Sequence, residues 1–362
     1  MSTNDNNDIT NTDKAYNSSS NFSSNSCFNS SSNSCFNFLK KLIPTSNCCD
    51  NQEQSNTEAL EVGTMERRWR HGRRRRRRRR NSKKNKKPKP EKTIKLALLI
   101  GILYTGTSAE LGGCVNDIIN MKKLLIEKMG YQDKHIVMLH DEQENKSLQP
   151  TGENIIEQLN QLLNRTLKKP SKSNPKVAEV FIHFSGHGAY FKDDGNDESD
   201  GKDELIVPLD YETGGVITDD YLTYYMQSLP KHVKCTAVFD CCHSGTILDL
   251  KYLYKVNRNI IENKNFRGKA KIVMISGCKD SQTSADVYSP KKEQWNGALT
   301  TNLLNLLSKN KYNVTNFNLI KQLHIELRNQ GHTQRPQICC SYKLNKKSKF
   351  IHKLGKNSYT FQ

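Results

Sequence analysis

The apolar positions of this chain change rhythm several times, and each change predicts an element. Ile94-Lys95-Leu96-Ala97-Leu98-Leu99-Ile100 is a nearly continuous apolar run, the pattern of a strand covered on both faces. Asn116 or Asp117 is placed to cap a helix with apolar positions Ile118, Met121 and Leu125. A second strand is expected over His135–Leu139. A second helix, capped by Thr151, carries Ile155, Leu159 and Leu162. Further strands are expected at Val177–Phe184, Leu205–Val207, Cys235–Phe239 and Ile272–Ser276, with helices over Tyr221–Leu229, near Ala298–Leu307 and near Asn318–Arg328. Strands that alternate with helices predict an α/β fold whose mostly parallel sheet is covered on both faces. Functional residues of such sheets gather at the carboxyl edge.

Two strands run into small, polar, reactive sequences there. One continues into Ser185-Gly186-His187-Gly188, the other into Asp240-Cys241-Cys242-His243-Ser244-Gly245. If the strands are parallel and close, His187 and Cys242 meet. A cysteine nucleophile needs a base to hold its thiolate, and Gly188 and Cys242 each have a backbone N–H to offer an oxyanion. Taken singly, His187 reads as a turn histidine and Cys242 as a buried structural thiol. Zinc held by Cys235, Cys241, Cys242 and His243 is disfavoured: no C-x-x-C spacing is present, and successive strand residues face opposite ways.

Composition changes the picture mainly at the N-terminus. Residues 1–92 hold 20 Lys and Arg against 9 Asp and Glu, within a total formal charge of +19. They read as a disordered arm, rich in Ser and Asn and then polybasic from Arg67 to Lys92. That run is expected to be a solvated tail, a nuclear address or a polyanion contact. The eleven cysteines are odd in number and include three adjacent pairs. With no apolar leader in the first 37 residues and no run of 18 apolar residues, they suggest reduced thiols and no membrane span. The expected protein is cytoplasmic, or nuclear through its polybasic arm, and monomeric.

From about Lys95 to Lys343 the chain resembles a type I metacaspase, of the caspase-like cysteine protease clan. The resemblance rests on Leu111-Gly112-Gly113-Cys114-Val115-Asn116-Asp117, His183–Gly188, Asp203–Asp210, Asp240–Gly245, Gly297-Ala298-Leu299-Thr300 and Gln334-Arg335-Pro336-Gln337. It implies a caspase-like three-layer sandwich, with a large-subunit-like region over 93–250, a basic linker over 251–268 and a small-subunit-like region over 269–362. It implies a His187–Cys242 dyad, with the nucleophile being the cysteine before His243-Ser244-Gly245. It also implies a pocket for a basic substrate side chain at Asp117, Ser185 and Asp240, hence cleavage of peptides after Arg or Lys. Calcium is implied at Asp203, Asp219, Asp220 and Asp249. The acidic stretch Asp193–Asp200 does not follow the EF-hand pattern and reads as a solvated loop. The basic stretches Arg67–Lys92 and Lys251–Lys269 are candidate sites of self-cleavage. The arm has neither the Pro- and Gln-rich character nor the zinc finger common in the family, and no long insertion separates the two halves, which argues against the type II form. The rival readings are a paracaspase, a silent caspase-like interaction module and a polyanion-binding protein.

Overall fold

A computed structural model describes residues 93–171, 173–192, 202–255, 259–277, 286–289 and 294–350. The N-terminal arm, the acidic stretch Asp193–Asp200 and part of the basic linker lie outside them.

An eight-stranded sheet forms the centre. Its strands in chain order are β1 (Thr93–Gly101), β2 (Ile136–His140), β3 (Lys176–Ser185), β7 (Lys234–Asp240), β8 (Tyr252–Tyr254), β9 (Ile260–Glu262), β10 (Lys271–Ser276) and β13 (Gln337–Cys340). Their spatial order is β2-β1-β3-β7-β10-β13-β8-β9. The first five are mutually parallel, and the last three add on antiparallel. A small sheet of β4 (Gly188–Lys192), β5 (Lys202–Ile206) and β6 (Ile217–Thr218) and a hairpin of β11 (Asp286–Ser289) and β12 (Gln294–Gly297) lie outside the central sheet.

Alternation along β1 explains the layering. Leu96, Leu98 and Ile100 join one core cluster, Ala97 and Leu99 the other. The first cluster is closed by α2 (Gly152–Leu167), through Ile155, Leu159 and Leu162, and by α4 (Asp219–Ser228), through Leu222, Tyr225 and Met226. The second is closed by α1 (Cys114–Met129), α5 (Ala298–Lys309) and α6 (Asn316–Asn329). The short helix α3 (Tyr211–Gly214) follows β5. Helices thus cover both faces, as the three-layer expectation requires. At about 1.5–3 kcal/mol per fully buried aliphatic side chain, these two faces are the main source of the domain's stability.

Three expectations need correction. Helix α1 starts at Cys114, ahead of Asn116 and Asp117, and its N-cap is Gly113 with no side-chain cap. A Cβ at Gly113 would lie 2.6 Å from Asn296 Cα, so no capping side chain fits. The second strand is Ile136–His140; His135 closes a 3-10 turn before it. Residues 251–268 do more than link, for β8 and β9 lie within them and extend the sheet. Tyr252 and Tyr254, on alternate positions, bury themselves in the second cluster.

Candidate active site

Ser185, the last residue of β3, pairs in register with Asp240, the last residue of β7. The same two steps beyond each lead to His187 and Cys242, at the carboxyl edge of adjacent parallel strands. Gly186 N–H donates to Asp240 O at 3.4 Å, continuing the ladder past the strand ends. The loops then touch: a Cβ at Gly188 would stand 2.2 Å from Cys242 O and 3.2 Å from Cys241 Sγ. Only a glycine allows His187 this approach. Cys241 is fully buried, while Cys242 and His187 are half-buried at the surface.

The imidazole of His187 is held from the β1–α1 loop. Its Nε2 lies 2.7 Å from Ala109 O. A carbonyl only accepts, so Nε2 carries the proton and Nδ1 is the basic nitrogen of the neutral ring. The Cys242 turn is also fixed. His243 has φ +49°, Ser244 Oγ donates to Cys241 O at 2.8 Å, and Cys339 Sγ contacts Gly245 O at 3.2 Å. A left-handed backbone at a non-glycine residue directly after Cys242 is strain held by its surroundings.

The three residues expected in the substrate pocket also come together. Ser185 Oγ donates to Asp117 Oδ2 at 2.8 Å. Gly297 N–H lies 3.0 Å from both Asp117 oxygens. Thr300 donates through both N–H and Oγ1 to Asp240 Oδ2, each at 2.8 Å. A Cβ at Gly297 would fall 2.5 Å from Asp117 Oδ2 and 2.3 Å from Asp240 Oδ2, so both carboxylates crowd that one glycine. They are 0% and 4% exposed. Asp240 therefore caps the first turn of α5, and the pair lies beneath the β12–α5 junction.

The four aspartates expected to hold calcium lie on segments around α4. Asp219 accepts Glu204 N–H and Asp220 N–H, each at 2.8 Å. Asp249 Oδ2 lies 3.5 Å from Thr223 Oγ1, one helical turn beyond Asp220. Asp203, on β5, precedes Glu204, which is fully buried and accepts the Thr246 hydroxyl at 2.8 Å. The donor set is all hard oxygen and fits a calcium-like cation in kind. Among the described residues, no three His, Cys, Asp or Glu side chains are gathered closely enough to hold a metal. Cys235 sits at the far end of β7 from Cys241–His243, and burial pushes its thiol up to about 12, the behaviour of an inert core cysteine.

Sequence reading passed over Tyr104, Ala109, Asp141 and Glu204. Ala109 acts through its carbonyl, which leaves no mark on residue type. Glu204 stood in view within Asp203–Asp210, as a carboxylate directly before an apolar run.

The metacaspase peptidase C14 family profile matches residues 95–251, the span that carries both strand ends. Metacaspase-1B of Neurospora crassa is 34% identical over 304 residues, covering 70% of this chain and 68% of that protein. Metacaspase-1 of Botryotinia fuckeliana is 34% identical over 303 residues and covers 70% of each chain. Metacaspase-1B of Aspergillus oryzae is 33% identical, again covering 70% of each. Among the described residues no helix is long and apolar enough to cross a membrane. A histidine and a cysteine at adjoining strand ends of a caspase-like sandwich, and relatives matched along most of their length, agree: the chain belongs to the metacaspases, cysteine endopeptidases, in their type I form.

Proposed function

We propose that this endopeptidase uses Cys242 as nucleophile and His187 as base, and cleaves after Arg or Lys. The carrying observation is the shared register of Ser185 and Asp240, with Gly188 packed on the Cys242 carbonyl. With Nε2–H given to Ala109 O, Nδ1 takes the Cys242 proton, and the imidazolium later returns it to the leaving amine. The thiolate adds to the carbonyl carbon, Gly188 and Cys242 N–H groups receive the oxyanion, and water hydrolyses the acyl-enzyme.

Asp117 and Asp240 are the specificity carboxylates, oriented by Ser185 and Thr300. A substrate guanidinium or ammonium reaching them takes the place of donors at Gly297 and Thr300, so occupancy of the pocket is tied to a shift of the β12–α5 junction. Calcium would be held by Asp203, Asp219, Asp220 and Asp249 once their segments close around it, and it would supply positive charge that draws those segments together. The polybasic stretches Arg67–Lys92 and Lys251–Lys269 are self-cleavage sites, and the first is also a polyanion or nuclear-import contact.

The test is cleavage of matched Arg, Lys and Asp peptides by wild type and Cys242→Ala, with calcium or chelator, and fragments mapped by mass. Cleavage after Arg and Lys alone, lost in Cys242→Ala, is the expected result; efficient cleavage after Asp overturns the specificity. Unchanged calcium response in Asp219→Ala with Asp220→Ala overturns the calcium assignment. A chain left intact by calcium while it turns over an Arg peptide overturns self-processing.

A further inference from the structure

We infer that Tyr104, clamped by Asp141, is a positioning residue for His187. The inference rests on the reading of His187 as the catalytic base. Tyr104 is a large aromatic with 0% exposure at φ +53°, in a loop rather than a helix or strand. Aromatic residues rarely occupy the left-handed region, and when they do the surroundings must hold them there. Here the holding groups are explicit. Asp141, just past β2, accepts Tyr104 N–H at 2.7 Å and Leu103 N–H at 2.8 Å. On the other side, Thr107 N–H and Oγ1 donate to Tyr104 O at 3.1 and 2.8 Å. The backbone of Tyr104 is thus fixed at both ends of the residue.

The side chain then carries that fixity to the active-site histidine. Tyr104 Oη donates to Val207 O at 2.6 Å and accepts His187 N–H at 3.0 Å. Val207 N–H donates to His187 O at 3.1 Å. Tyr104, His187 and Val207 therefore close a ring of three hydrogen bonds. The phenol and imidazole rings pack against each other at a tilt of 41°, with centroids 4.8 Å apart. Burial pushes the phenol's pKa well above its ordinary value, so the hydroxyl keeps the proton it donates. The same loop supplies Ala109 O to Nε2. Backbone, ring face and ring nitrogen of His187 are all referred to one loop, and that loop to Asp141. A core aromatic needed only for packing would not require the hydroxyl, the left-handed backbone or the carboxylate clamp.

Tyr104→Phe keeps the ring and deletes the hydroxyl. Two polar groups lose their partner, and the His187 backbone is released while its ring still rests on an aromatic face. Misplacement of a catalytic group by about 1 Å costs up to about 100-fold in rate. A partial release in Tyr104→Phe is expected to lower kcat by about 10- to 100-fold with KM within twofold. Asp141→Asn, with one acceptor left for two N–H groups, is expected to lower kcat in the same direction. The decisive readout is alkylation of Cys242 by iodoacetamide as a function of pH, in the full-length chain. If Tyr104 orients His187, the midpoint for thiolate formation moves up in both variants, because the imidazolium no longer sits where it holds the thiolate.

His187→Ala and Cys242→Ala are run alongside. Retained activity in His187→Ala refutes the dyad itself. Loss there, with wild-type kcat and alkylation midpoint in Tyr104→Phe, refutes the positioning role alone. A lowered melting temperature with an unmoved alkylation midpoint in both variants likewise refutes it, since that is the signature of packing only.

Discussion

Gly188→Ala tests the closest contact of the site. The added Cβ would stand 2.2 Å from Cys242 O, whereas Cβ contacts under 3.0 Å are essentially never found, so the two loops must part by at least about 0.8 Å. The obstacle is a backbone carbonyl, which cannot rotate out of the way as a side chain would. Gly188 is outside the set of residues with positive φ, so backbone strain contributes nothing to the expected effect. Overpacking of this kind costs about 1–3 kcal/mol of stability. A parting near 1 Å between base and nucleophile costs up to about 100-fold in rate, equivalent to about 2.7 kcal/mol. The variant should therefore fold, melt a few degrees lower, and lose about 30- to 100-fold in kcat with little change in KM. The assay is steady-state hydrolysis of a fluorogenic basic peptide, paired with thermal unfolding. Wild-type kcat in a folded Gly188→Ala enzyme would refute the claim that this contact sets the spacing of His187 and Cys242.

Cys242→Ala should abolish activity, while Cys241→Ala leaves a measurable rate, because Cys241 is fully buried on the Gly188 side; equal loss in two folded variants would sink the assignment. Asp240→Asn keeps an acceptor for Thr300 and removes the charge, so kcat/KM for Arg peptides should fall by about 30- to 5,000-fold, equivalent to about 2–5 kcal/mol, while the melting temperature changes little; unchanged Arg hydrolysis would leave Asp240 only its capping role. His183 is fully buried, neither ring nitrogen has a hydrogen-bond partner among the described residues, and burial lowers its pKa to about 3. The unfolded chain takes up a proton below about pH 6.5 that the folded chain refuses, so this contribution is intact above pH 6.5 and declines by about 1.4 kcal/mol per unit as pH falls towards 3. His183→Leu should flatten the urea midpoint between pH 6.5 and 4.5, above the carboxylate range; parallel slopes for the two proteins would contradict this.

The two strands that lead to His187 and Cys242 were legible because each is a long apolar run ending abruptly in small polar residues. The strands at the far side of the sheet, β13, β8 and β9, were not. They are three or four residues long, and Gln337-Ile338-Cys339-Cys340 becomes a strand only by pairing with β10 and β8. The start of α1 was misread for a related reason: its cap is set by Asn296, far along the chain, and not by a local side chain. Asp117, Ser185 and Asp240 were proposed as a pocket through the family resemblance, but their burial under Gly297 and Thr300 could not be read, since those contacts span 60 to 180 positions. Tyr104 shows the limit most clearly. Its importance lies in a backbone angle and in partners 83 and 103 residues away, neither of which leaves a trace in local pattern.

The place of β13 has a consequence for biosynthesis. Last in chain order among the strands of the described residues, it lies between β10 and β8, so every earlier strand is synthesised before the central sheet can close. Until Gln337–Cys340 leaves the ribosome, β8 and β9 have no partner linking them to the rest of the sheet among the described residues, and Gly245 in the Cys242 turn lacks its contact with Cys339. Pairings so distant along the chain form late and slowly. A nascent chain thus carries His187 and Cys242 on paired strands before it has the Cys339 contact that steadies Gly245 beside them.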